Sequence, residues 1–114
     1  MDMCHDLKRE VMRKTLETFI QHLKNERFVE AHEEMEQQWK QYKKQGHPLT
    51  KLLKGYINGA TVFELVRREK MEGARGLWEV YEKYHPLLQE GIEEHALFAE
   101  ADSVLQGLKM ERLR

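Results

Sequence analysis

Residues 49–68 read LTKLLKGYINGATVFELVRR, and this stretch decides the fold. Wound as a helix, it spreads Leu49, Leu52, Leu53, Tyr56, Ile57, Ala60, Val62, Phe63, Leu65 and Val66 over most of its circumference. A helix that is apolar nearly all round is surrounded by others. Gly55 and Gly59, four apart, leave a smooth strip where a neighbouring backbone can approach. The polar minority, Lys54, Asn58, Thr61 and Glu64, falls along one side. The stretch therefore predicts a central, largely buried third helix.

Upstream, Val11, Met12, Leu16, Phe19, Ile20 and Leu23 recur at three- and four-residue spacing, which predicts a first helix from near Asp2 or Asp6 to about Lys24. Asn25 is the expected N-cap of a second helix, with Glu26 suited to the positive end of its dipole. Phe28, Ala31, Met35, Trp39 and Tyr42 mark that helix's inward face, and Gly46 with Pro48 ends it. Downstream, a fourth helix runs from about Met71 to Tyr84, with Ala74, Leu77, Trp78 and Tyr81 inward, and Pro86 stops it. Gly73 and Gly76 are read, like Gly55 and Gly59, as helix-packing positions. Leu87–Glu90 is expected as a loop. A fifth helix then carries Ile92, Leu97, Phe98, Ala101, Val104, Leu105 and Leu108 inward. The expected fold is all-α, a compact array of five helices forming a single domain over residues 1–114.

Composition agrees. Nineteen basic residues oppose twenty acidic ones, so the blanket positive charge that phosphate-backbone binding needs is missing, and nucleic acid is not expected as a partner. No apolar run approaches the roughly 20 residues that span a bilayer, so no membrane association is expected either. The opening residues lack the basic-then-apolar layout of a secretory signal. The single cysteine, Cys4, has no internal partner for a disulfide, and a cytoplasmic location is the expectation. Ten aromatic residues and six methionines are generous for 114 residues and predict a homodimer that buries a leftover helical face.

The densest polar stretch is Glu30-Ala31-His32-Glu33-Glu34-Met35-Glu36, followed by Trp39. His32 and Glu36 are four apart and share a helix face; Glu33 sits one step round. His-Glu-x-x-Glu echoes the zinc-protease string His-Glu-x-x-His, in which two ligands four apart hold a metal and the glutamate acts as base. On that reading His32 and Glu36 are metal ligands, Glu64 or Asn58 on the third helix supplies the next, and Glu33 is the base. His22, His47, His85 and His95 show no matching spacing. The plainer reading has His32 and Glu36 hydrogen-bonded to each other and to the central helix in a satisfied polar network, with no cofactor. It takes precedence here, because short glutamate-rich helices produce such strings by composition alone.

Other residues point to structure rather than chemistry. Cys4 and His5 are adjacent and diverge on a helix, which argues against a Cys-His nucleophile. Arg67, Arg68 and Lys70 are expected as a solvated cluster that complements the dipole at a helix end. Trp39 and Trp78 sit on apolar stripes and are expected in the core.

Phe28-Val29-Glu30-Ala31-His32-Glu33, with Glu36 and Trp39, resembles the signature of the small helical family called domain of unknown function 309. Gly55-x-Ile57 with Ala60, Arg67-Arg68 followed by Gly73-Ala74-x-x-Leu77, and Gly91-Ile92 resemble further parts of its pattern, so the likeness covers about residues 25–105. Lys54 and Asn58 replace the family's usual glutamines, Glu64 stands where a histidine is common, and Glu69-Lys70 replaces Gly-Asn. What the resemblance implies is an all-helical fold, a polar site around Glu30, His32, Glu33, Glu36, Trp39, Asn58 and Glu64, and, by motif logic, a metal-dependent hydrolase. The departures at 54, 58 and 64 fall on the stripe facing that site. A lesser likeness to the second helix of a tetratricopeptide repeat lies in Ala74, Trp78, Tyr81 and Pro86. The preceding helix, with Thr61-Val62 where Leu-Gly belongs, does not continue it. The expected protein is a non-enzymatic binding or scaffolding module for an unnamed protein or small-molecule partner, with metal-dependent hydrolysis as the alternative.

Overall fold

A computed structural model describes the backbone of residues 3–113 and the side chains of residues 9–113. Five α-helices follow one another: α1 (Met3–Lys24), α2 (Phe28–Gln45), α3 (Thr50–Arg67), α4 (Met71–Tyr84) and α5 (His95–Arg112). The expected all-α array is what forms. Between α4 and α5 the chain makes a single 3-10 turn at His85–Leu87, where a plain loop was expected. Pro86 suits that turn, because its fixed φ fits a first helical position and its missing N–H is not needed there.

The central role of α3 follows from its residues. Leu52, Leu53, Tyr56, Ile57, Ala60, Val62 and Phe63 are all buried, and the helix packs against α2, α4 and α5. Phe63 meets Phe28 of α2 at 5.9 Å between centroids and Trp78 of α4 at 6.1 Å. Tyr56 meets Phe19 of α1 at 6.0 Å and Phe98 of α5 at 5.4 Å, edge-on or tilted as ring quadrupoles prefer. Two side chains of α3 thus reach every other helix.

The glycines divide. A Cβ at Gly55 would stand 3.1 Å from Cβ of Tyr84, and one at Gly59 would stand 3.0 Å from Leu105 and 3.3 Å from Tyr81, so these two do admit neighbouring helices. Gly73 would make only an ordinary contact with Leu65, and Gly76 faces open space. The packing reading is corrected for Gly76 because its side of α4 points to solvent.

Helix boundaries bring three further corrections. Asn25 does not cap α2: its side chain donates back to the carbonyl of Gln21, and Arg27 takes the N-cap position without a side-chain hydrogen bond. Residue 26 adopts φ 59° and closes α1, with Glu26 N–H to Leu23 O at 3.1 Å and Arg27 N–H to His22 O at 2.8 Å. That is the paired bonding of a Schellman cap. Glu69 (φ 61°) repeats it at the end of α3, bonding Val66 and Lys70 bonding Leu65. Left-handed caps usually take glycine; here glutamate does the same work at both junctions. Finally, α5 begins at His95 rather than near Ile92. From Ile92 the next apolar positions on a helix face would be residues 95 and 96, where His95 and Ala96 stand, so the stripe breaks and Gly91 (φ 95°) and Glu94 (φ 57°) turn the chain instead.

Trp39 and Leu77 are half-buried at the edge of the core, whereas Trp78 lies within it. The large apolar side chains exposed among the described residues are Val11, Leu87 and Met110, on three different elements. No helix among the described residues is long and apolar enough to cross a membrane.

Candidate functional site

His32 and Glu36 project from the same side of α2, one turn apart, because helical geometry stacks residues i and i+4. His32 Nε2 stands 2.7 Å from Glu36 Oε2, and its Nδ1 faces Thr61 Oγ1 on α3 at 3.4 Å. Glu36 accepts only, so Nε2 carries a proton and donates to it. Thr61 in turn donates to the carbonyl of Ile57 at 3.0 Å. Both ring nitrogens are therefore engaged, one within α2 and one across to α3. The hydrogen bond from His32 outweighs partial desolvation and holds the Glu36 carboxyl below its ordinary value, with Lys40 and Lys54 adding to the effect. Glu36 and His32 are each about a third exposed (35%), so the pair lies at the surface end of the α2–α3 seam.

The other residues of the expected cluster spread apart. Trp39 lies one turn further along α2, with Lys43 Nζ 4.9 Å and Lys54 Nζ 4.6 Å from its ring centroid. Asn58 is half-buried on the same stripe of α3 as Lys54 and Thr61. Glu30 and Glu33 are exposed on α2; Glu30 acts electrostatically on Arg67. Glu64 is buried and belongs to a different group. Its Oε1 accepts from Arg67 Nη2 at 2.7 Å and from Arg68 Nε at 2.9 Å, while Oε2 takes no hydrogen bond from any described residue. Burial pushes this carboxyl up, yet the two guanidiniums together win and hold it below its ordinary value. Arg67 and Arg68 thus reach back to Glu64, a use of the helix-end cations beyond solvation.

Among the described residues no three His, Cys, Asp or Glu side chains come together in a way that could hold a metal ion. His32 and Glu36 meet, but neither Glu64 nor another donor joins them. Cys4 and His5 lie outside the described side chains.

Two polar ties were not read from the sequence. His22 of α1 accepts from Arg27 Nε at Nδ1 (2.9 Å), which places its proton on Nε2, 3.0 Å from Glu34 of α2. Asp102 of α5 accepts from the Tyr81 hydroxyl with one oxygen and faces His85 Nε2 at 3.1 Å with the other. The Tyr56 hydroxyl, close by, donates to the carbonyl of Phe98 at 2.7 Å. Burial drives both Tyr56 and Tyr81 far above the usual phenol value of 10.0. The available signals were Tyr81 and His85 four apart on α4 and Asp102 beside the apolar stripe of α5. The pairing between helices is not encoded in either spacing.

No curated protein and no solved structure matches the chain. A family model does, over residues 16–77, from Leu16 in α1 to Leu77 in α4. The matched span takes in the Glu-Ala-His-Glu segment and the whole of α3, beginning earlier and ending sooner than the likeness carried by the motifs. Covering more than half of the chain, it places this protein in the family described as Domain of unknown function (DUF309).

Proposed function

We propose that the protein is a non-enzymatic helical binding module in which the His32–Glu36 pair braces α2 against α3. The observation that supports this reading is the engagement of both His32 nitrogens, by Glu36 at 2.7 Å and by Thr61 at 3.4 Å. A ligating imidazole must offer a lone pair, and a metal-bound water needs further donors to complete the coordination. Glu64, the further ligand expected from the sequence, is held by Arg67 and Arg68. Pairing of two copies is not required by this reading, and sedimentation at micromolar concentration decides it: a 13.7 kDa species means a monomer.

The test of the module reading is thermal melting with and without zinc or manganese. A metal bound only by the folded state raises the melting temperature by mass action. The expected result is no metal-dependent shift in the wild type. A shift in the wild type that His32→Ala and Glu36→Ala both abolish would put a metal-dependent hydrolase first, with Glu33 as the base. The mutants' own loss of stability does not discriminate, since a broken hydrogen bond costs about 1 kcal/mol under either reading.

A further inference from the structure

Residues 37–63 contain five lysines, Lys40, Lys43, Lys44, Lys51 and Lys54, and no aspartate or glutamate. The whole chain carries −1, so the remainder carries −6. Folding brings the basic segment to one end of the α2–α3 hairpin, which turns at Gly46. There Lys43 and Lys54, from different helices, place their ammonium groups 4.9 and 4.6 Å from the centroid of the half-buried Trp39 ring. Lys40, Lys43, Lys44 and Lys51 are exposed. The carboxylate among them, Glu36, is already engaged by His32 and by Lys40 at 3.6 Å. Glu93 and Glu94 act electrostatically on Tyr42, which is buried on the opposite side of α2 from Lys40 and Lys44.

We propose that this lysine face around Trp39 is a docking surface for an acidic segment of a partner protein, a short run of aspartate and glutamate side chains. The proposal rests on the reading of the protein as a binding module and names its partner by charge. Like charges crowded on one face repel each other, and an anionic partner relieves that repulsion while its carboxylates take hydrogen bonds from the ammonium groups. Three observations favour a short acidic peptide over a nucleic acid. The −6 on the rest of the chain repels an extended polyanion. The patch holds lysines without arginine, point charges rather than the planar forks suited to phosphates and bases. The Trp39 ring is covered by two ammonium groups, whereas a base-stacking platform must be open.

The experiment titrates the full chain into a fluorescein-labelled oligoglutamate peptide, with an oligouridylate and a neutral Gly-Ser peptide in parallel. The wild type is expected to bind oligoglutamate, more weakly as salt is raised, and to bind the other two less. Lys43→Glu with Lys54→Glu should weaken binding by tenfold or more, on the order of what opposed charges at an interface cost. Lys44→Glu with Lys51→Glu, both fully at the surface, should do the same and serves if the first pair disturbs the packing on Trp39. Lys14→Glu on α1, 71% exposed, should leave binding within about twofold. Equal affinity in all variants, no binding by the wild type at low salt, or tighter binding of oligouridylate each overturns the proposal. The metal-dependent melts decide the module reading separately, so a silent peptide with no metal effect removes only the docking surface.

Discussion

Gly59 of α3 lies against the ring of Tyr81 on α4, so closely that a Cβ at position 59 would stand 3.3 Å from the ring's Cδ2. Leu105 of α5 closes on the same point at 3.0 Å, and both neighbours are buried. A methyl group here must displace side chains of two helices at once. Gly59→Ala should gain about 1 kcal/mol of helix propensity and lose about 1–3 kcal/mol to overpacking, a net destabilisation. Gly76→Ala, in the same kind of sequence context but facing open space, should stabilise by up to about 1 kcal/mol. Urea unfolding of the two variants checks both signs; stabilisation by Gly59→Ala would show that α3 and α4 do not meet there.

Glu64 offers a sign that can be reversed. Burial raises its pKa and the hydrogen bonds from Arg67 and Arg68 lower it, with the lowering dominant. Replacing both arginines by alanine leaves burial alone, so the carboxyl should move from below the usual 4.5 to above it. The same double substitution should cost about 2 kcal/mol at neutral pH, since charge-assisted hydrogen bonds are removed from a buried anion. Carboxyl-carbon NMR titration reads the first effect and unfolding the second.

The His32–Glu36 pair makes stability depend on acid. Glu36 has a folded-state pKa below 4.5, so its contribution is complete above 4.5 and is lost as pH falls through the folded value. In His32→Ala the Glu36 carboxyl should return toward 4.5, because its largest lowering influence is the His32 hydrogen bond. An unmoved Glu36 titration would mean that the pair does not form in solution.

Glutamates 26 and 69 hold left-handed backbone at the ends of α1 and α3. A side chain there costs roughly 1–2 kcal/mol that glycine avoids, partly repaid by glycine's greater freedom when unfolded. Glu69→Gly should therefore stabilise by up to about 1 kcal/mol. Glu26→Gly should stabilise less, because Glu26 also forms an ion pair with Arg112 of α5. Melting temperatures of the two variants give the order directly.

The sequence by itself determined the helices and the centre. Apolar spacing is local information, and the near-continuous apolar surface of residues 49–68 admits no position except inside a layer of other helices. The i, i+4 relation of His32 and Glu36 was legible for the same reason: helical geometry alone brings them together. The start of α5 was not, since Ile92 carries the right residue type at the wrong phase, and the turn is made by φ values that glutamate rarely adopts. Nor was the fate of Glu64. On the helix it shares the polar edge with Asn58 and Thr61, yet Arg67 and Arg68, one turn further on, claim its carboxylate. The Tyr81–Asp102–His85 tie and the two lysines over Trp39 depend on which helix lies beside which. That choice comes from packing of whole faces, above all at Gly55 and Gly59, where the absence of two methyl groups sets how closely α4 and α5 can approach α3.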